Sequence, residues 1–528
     1  MKGLILIGYL AILFFIGYKS SKKVKNVSDF YVGGKTLGYW VAALSARATG
    51  ESGWLLLGLT GMGALMGFKA FWVVIGEVLG VSLCWLLMAK KFKWFTDKFK
   101  SITIPDYLSG RFKSKTHLLR AISALTLGIF IAIYVSAQID ATGTAFETFF
   151  NMNYFTGAII GFAIVLLYVS YGGFVAVAWS DVFQGAMMFA GLVILPIVAG
   201  TYFFNSGAES GVVSSLQAID PALTQFFGEF TLLNTCTVLG FLAIGVGFLG
   251  SPQIFVRFIS VRDEVEIKKG TKVAILFTIL TDSAAVLAGI YGRLLFQKAG
   301  VDIEQILGNG AQNVLPLLVE HLFPTVIVGL YIATILSAIM STVDSLLVVS
   351  SSAITHDVYQ TIIRPDLKDK PLVSVSRKIT IGIAVASLVI ALLVAVVSPT
   401  RTIFWFVLFG WTGIAATFVP TMILSLSWKR FTEKGAIASM LGGFSSVIFF
   451  SFVGPKLAVV GPYLKELTVL PLSITMGLFL GVIVSMYQRD YELEDSYEQW
   501  NQEYHSRHDK TDIEISVLEE AKIPIETH

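Results

Sequence analysis

Long apolar runs alternate with short polar connectors along almost the whole chain, near 4–18, 37–68, 70–88, 121–146, 155–175, 181–204, 234–256, 270–292, 324–350, 376–398, 402–427, 435–453 and 468–487. A helix of about 20 apolar residues crosses the hydrocarbon core of a bilayer with every backbone group bonded internally. The pattern therefore predicts an all-α polytopic membrane protein with about 13 transmembrane helices. Three of the runs are not plain. The second carries S-A-R-A-T-G-E-S-G-W-L-L-L-G over 45–58, whose centre holds two glycines (Gly50 and Gly53), three hydroxyls and the ionised pair Arg47 and Glu51. Charges at bilayer depth are costly, and irregular backbone there is tolerated only where it lines a cavity. The seventh run, F-L-A-I-G-V-G-F-L-G-S-P-Q-I-F-V-R-F over 241–258, is expected to break or bend at its glycines and Ser-Pro pair. Two interrupted spans separated by five is the spacing of an inverted repeat made of spans two to six and seven to eleven.

The ninth run holds L-S-A-I-M-S-T-V-D-S-L-L-V-V-S-S-S over 336–352, which sets Ala338, Ser341 and Thr342 on one helix face, with Asp344 and Ser345 just beyond. Such a strip can serve close helix packing, with the hydroxyls bonded back to the preceding turn. Here it includes an acid, and a broken helix elsewhere has carbonyls to share. A small hard cation wants several oxygen ligands of this kind. The other carboxylates within apolar runs are Glu77, Asp181 and Asp282, with Asp140 nearer an outer end. Each is a functional candidate or a partner for Arg47, although Glu51 lies one helical turn beyond that arginine and can neutralise it.

Composition agrees with the membrane reading. The 528 residues are 55% hydrophobic and only 14% charged, and the mean hydropathy is +0.73; soluble domains carry about 25% charged residues. Basic connectors give an orientation. Lys19, Lys22, Lys23, Lys25 and Lys35 follow the first span, the richest loop runs over 90–120, and later ones hold Arg257 to Lys272, Arg364 to Lys378, and Lys429 to Lys434. The 205–234 segment has no Lys or Arg. Positive charge stays cytoplasmic, so the N-terminus is expected outside and the C-terminus in the cytoplasm. The first span has no small-residue cleavage site after it, so it reads as a retained helix and not a signal peptide. Within the basic loop, K-F-K-W-F-T-D-K-F-K reads equally as an amphipathic interfacial helix or a plain linker. The last 41 residues hold 12 acidic and 4 basic side chains and read as a solvated cytoplasmic tail.

The segments expected are 1–36, a first helix and basic loop; 37–206 and 234–428, the two halves of the core; 207–233, an extracytoplasmic loop; 429–487, two peripheral helices; and 488–528, the tail. Cys84 and Cys236 sit in apolar runs and the six histidines are scattered, so no disulfide framework or metal motif is suggested. No nucleophile–base motif points to an enzyme, no repeated pore loop to a channel, and no nucleic-acid partner is indicated. A solute sensor would need an output domain larger than this tail.

Several motifs resemble the sodium:solute symporter family, and within it the sodium/proline symporter branch. These are A-R-A-T-G-E-S-G-W-L-L-L-G-L-T-G, Y-G-G-F-x-A-V-A-W-S-D-V-x-Q over 171–184, G-x-L-G-S-P-Q-I-x-V-R-F, and S-A-I-M-S-T-x-x-S-x-L-x-V-x-S-S-A-I-T-x-D-x-Y. The resemblance covers roughly 3–487. It implies a LeuT-like 5+5 inverted-repeat core of spans two to eleven in a multi-pass protein of the cell (inner) membrane. It also implies import of a small solute coupled to a sodium ion, with no organic cofactor. By position, sodium would meet the carbonyls of Ala48, Glu51 and Ala338 and the hydroxyls of Ser341 and Thr342. Asp181, Asp344 and Ser345 would form a second cation site. The solute would lie beside Ser52, Gly53, Trp54, Tyr134, Ile244 and Phe248. The chain departs from the branch at Gly50, where an Asp stands, at Arg47, where the residue is small, and at Ile244 and Phe248, where an aromatic pair stands. Proline or a related amino acid leads as solute, with a sugar, sialic acid or a carboxylate as alternatives. A proton is the alternative coupling ion, since Glu51 or Asp344 would titrate if desolvated. The oligomeric state is left open, a monomer among the options.

Overall fold

The computed structural model describes residues 1–22, 27–206, 211–298, 300–367 and 369–520. Among these residues every regular element is helical, apart from one isolated bridge between Leu37 and Val261. Among the described residues, eleven helices are long and apolar enough to cross a membrane. The thirteen expected runs map onto these helices approximately, with two pairs of them continuous. Tyr39–Lys98 contains the second and third spans, parted by the Gly67–Ala70 turn, where Gly67 has a φ of 56°. The fifth and sixth spans form one helix, Tyr154–Asn205, broken at Gly173, whose φ is 58°. A connector was expected near 176–180, but that stretch is helical. The break comes earlier because Gly173 takes a backbone angle open to glycine, and a Cβ there would run into the ring of Phe30.

Both predicted interruptions are present. The second span stays helical through Gly50 and turns at Ser52, with φ 48° and ψ −174°. It resumes as a wide turn over Trp54–Leu59. The seventh span is Leu232–Ala243, then a tight turn over Ile244–Leu249, then Pro252–Ser260. Ser251 Oγ donates to the Gly247 carbonyl at 2.7 Å, which satisfies a group that the break exposes. Gly245 packs against the backbone of Gly76 and Gly80, so the third and seventh spans cross without side chains between them. The ninth span, Thr325–Ser352, and the eleventh, Ile403–Ser427, form the centre. Their apolar windows are 83% and 89% buried, against 28% for the first and tenth.

The basic loop folds as two helices, Ala89–Lys98 and Ile104–Arg111; Thr103 Oγ1 caps the second by accepting from Asp106 N at 3.1 Å. The tail departs from its solvated reading. Its helix, Tyr491–Glu520, presents Leu493, Tyr497, Trp500 and Tyr504 at helical spacing along one stripe. Leu493 and Tyr497 are each only 4% exposed. Tyr497 Oη donates to the Leu426 carbonyl at 2.5 Å, and its ring lies 4.3 Å from Cζ of Arg111. Burial pulls the Arg111 guanidinium down to about 10, which still leaves it charged at neutral pH. Lys98 with Glu503 and Lys429 with Glu498 close the rim as ion pairs.

Candidate functional site

The turn at Ser52 ends a half-helix, and the carbonyls of its last turn lose their intrahelical partners. The ninth span meets them. Ser341 Oγ donates to the Ala48 carbonyl at 2.9 Å and approaches the Ala338 carbonyl at 3.1 Å. Thr342 Oγ1 stands 2.9 Å from the Thr49 carbonyl and 3.1 Å from that of Ala338. Two hydroxyls and three carbonyls thus converge between the two spans, all on fully buried or nearly buried residues. This is a neutral oxygen set of the kind a hard monovalent cation takes, because hydroxyls can rotate their protons away and offer lone pairs. The Glu51 carbonyl ends the same half-helix, but neither hydroxyl bonds to it.

Beside this set lies a residue whose place the sequence misled. Arg257, assigned by its charge to a connector, is inside Pro252–Ser260 and 0% exposed. Its Nη2 donates to Asp181 Oδ2 at 2.9 Å, to Thr49 Oγ1 at 2.8 Å and to Ser345 Oγ. Its Nε donates to Ser45 Oγ at 3.0 Å and its Nη1 to the Gln253 carbonyl at 2.6 Å. Ser45 Oγ in turn donates to Asp181 Oδ2 at 2.6 Å. A guanidinium therefore stands where Asp181 and Ser345 were expected to hold a second cation. Asp344, also 0% exposed, is not among the groups bonded to Arg257. The available signal was an arginine inside the apolar stretch I-F-V-R-F.

On the other side of the second span, Arg47 forms its ion pair with Glu51 and has Glu77 Oε2 at 3.8 Å. Asp282 of the eighth span is buried beside this pair, and Cζ of Arg47 lies 4.9 Å from the ring centre of Phe248. One guanidinium thus serves three buried carboxyl groups drawn from the second, third and eighth spans.

Between this cluster and the eleventh span is a small cavity of about 20 Å³, room for about one water. Of the six residues that the sequence placed beside a solute, Trp54, Tyr134, Ile244 and Phe248 line it. Ser52 and Gly53 do not, since the Gln138 side chain takes both: its Oε1 accepts from Gly53 N at 3.0 Å and its Nε2 donates to Ser52 Oγ at 3.4 Å. The remaining wall comes from Gly50 and Glu77, and from Phe404, Val407, Leu408 and Trp411 of the eleventh span. Trp411 Nε1 donates to the Ile244 carbonyl at 3.1 Å, so the indole pins the unwound part of the seventh span. The sequence held few signs of this wall beyond the small residues around the tryptophan in G-W-T-G over 410–413.

Known proteins share this architecture. The high-affinity proline transporter PutP of Bacillus subtilis is 36% identical over 440 residues, covering 83% of this chain and 90% of that one. The sodium/proline symporter of Escherichia coli is 33% identical, covering 84% and 87%. The structure is similar to a substrate-bound, outward-open Na+-coupled sialic acid symporter, with a TM-score of 0.74 at 19% identity, over 92% of this chain and 97% of that one. The model of the sodium:solute symporter family matches residues 30–443, and the chain belongs to that family, as a multi-pass membrane protein with a LeuT-like core that couples solute movement to sodium.

Proposed function

We propose that the chain imports proline or a closely related small amino acid, driven by a sodium ion bound between the second and ninth spans. The observation that carries this reading is the pairing of Ser341 and Thr342 with the carbonyls of Ala48, Thr49 and Ala338. Sodium entering that set exchanges hydroxyl–carbonyl hydrogen bonds for ion–oxygen contacts, which tie the half-helix end to the central ninth span. Trp54, which lines the cavity, follows the same break by two residues. Ion and solute thereby act on one hinge, and a coupling of about 1–3 kcal/mol between them suffices for symport. The cavity is contracted here, so a five-membered ring enters only when Phe248 and Trp411, whose ring centres are 4.9 Å apart, separate. The basic helices and the tail share one face, which the positive-inside rule assigns to the cytoplasm of a cell (inner) membrane. The proline specificity of the relatives supports the choice of solute.

The test is uptake of labelled proline into proteoliposomes under imposed gradients. An inward sodium gradient at equal pH is expected to drive accumulation above equilibrium. Accumulation driven by an inward proton gradient without sodium would reject the coupling ion, and no uptake of proline under either gradient would reject the solute.

A further inference from the structure

Among the groups lining the cavity, only Glu77 bears a carboxyl group. It lies in the middle of the third span, 1% exposed. Its Oε2 has no hydrogen-bond partner, and the nearest cation, Arg47 Nη2, is 3.8 Å away and committed to Glu51. The surrounding cluster has three carboxyl groups and a single arginine, and Asp282 does not line the cavity. A carboxylate left in this state, desolvated and sharing one guanidinium with two other acids, is costly, and the cost falls when a further cation is brought to it. The rest of the wall suits that cation. Trp54, Tyr134 and Trp411 line the cavity with rings of the kind whose faces attract positive charge, while Phe248 already faces Arg47.

We propose that Glu77 selects the solute by receiving its protonated nitrogen, so that the transported molecule is an amine-bearing amino acid. The inference rests on the cavity being the solute site, as proposed above. It separates the solute classes that the sequence left open. A neutral sugar would bring hydroxyl donors but no compensating charge to Glu77, and a simple carboxylate would add a fourth negative group to the cluster. A zwitterionic amino acid completes it. Rejection by an unpaired buried polar group is also the strongest kind of discrimination a binding site achieves.

The test compares L-proline with tetrahydrofuran-2-carboxylate, the same ring with oxygen in place of the amine, by equilibrium binding to the purified full chain in sodium. The wild type is expected to prefer proline by about 100-fold or more. Glu77→Gln is expected to weaken proline binding at least tenfold and to shrink the preference below tenfold. Glu77→Asp keeps the charge and is expected to retain most of the preference. A Glu77→Gln protein that binds proline with the wild-type preference would overturn the proposal. Should that variant fail to fold, the other two proteins decide, and equal binding of both probes by the wild type would overturn it as well. A wild type that binds neither probe removes the proposed function and this inference with it. A wild type that binds proline while Glu77→Gln leaves the preference unchanged removes only the role of Glu77.

Discussion

Arg257 and Asp181 show what a single residue contributes in this interior. Both are 0% exposed, and the arginine joins the second, sixth, seventh and ninth spans through Ser45, Thr49, Asp181, Gln253 and Ser345. Removing one member of a buried pair strands the other, at a cost of about 3–5 kcal/mol, whereas removing both is far milder. Arg257→Met is therefore expected to lower the thermal midpoint in detergent markedly, and Asp181→Asn added to it is expected to recover most of the loss. A double variant no more stable than the single one would show that the arginine acts through its other partners. At this scale the sequence was partly legible. Ala338, Ser341 and Thr342 share a face by helical periodicity alone, and Arg47 with Glu51 pair across one turn, so local spacing disclosed both. Arg257, Gln138 and Trp411 act through contacts 76 or more residues away along the chain, and no local pattern announces such contacts.

At the scale of elements, the breaks were legible and their positions were not. Glycines and a Ser-Pro pair marked the second and seventh spans, yet the second turns at Ser52, a residue with positive φ. Its Oγ and the following amide are held by Gln138, so tertiary contacts place the turn one residue from where glycine alone would. The glycines serve a different purpose. Gly245 lies on the backbone of Gly76 and Gly80, and a Cβ on either Gly80 or Gly245 would overlap a facing carbonyl. Gly245→Ala is expected to force the third and seventh spans apart, carrying Glu77 and Phe248 with them. Its expected signature is a loss of solute binding together with a lower thermal midpoint. Full binding by a stable Gly245→Ala protein would contradict the close crossing.

For the molecule as a whole, the charge pattern read the tail correctly as acidic and wrongly as solvated. The apolar stripe Leu493, Tyr497, Trp500 and Tyr504 is diluted by charged neighbours, so composition hid it. The helix covers the basic pair Ala89–Lys98 and Ile104–Arg111 by ring packing, with Trp500 at 5.0 Å from Phe99 and Trp94 at 5.7 Å from Tyr504. Exposed ion pairs at its rim add little by comparison. The membrane spans themselves were legible because each must satisfy the bilayer on its own, which writes the fold into local hydropathy.

The central claim is that sodium bridges the second and ninth spans and thereby prepares the cavity for its solute. Reciprocity makes this measurable, because sodium must raise proline affinity by the factor with which proline raises sodium affinity. The most direct measurement is proline binding as a function of sodium concentration, in the wild type and in the Ser341→Ala, Thr342→Ala double variant. The account predicts that the variant needs at least about tenfold more sodium for the same proline affinity, from the loss of two ligands. A variant with unchanged sodium dependence would contradict it.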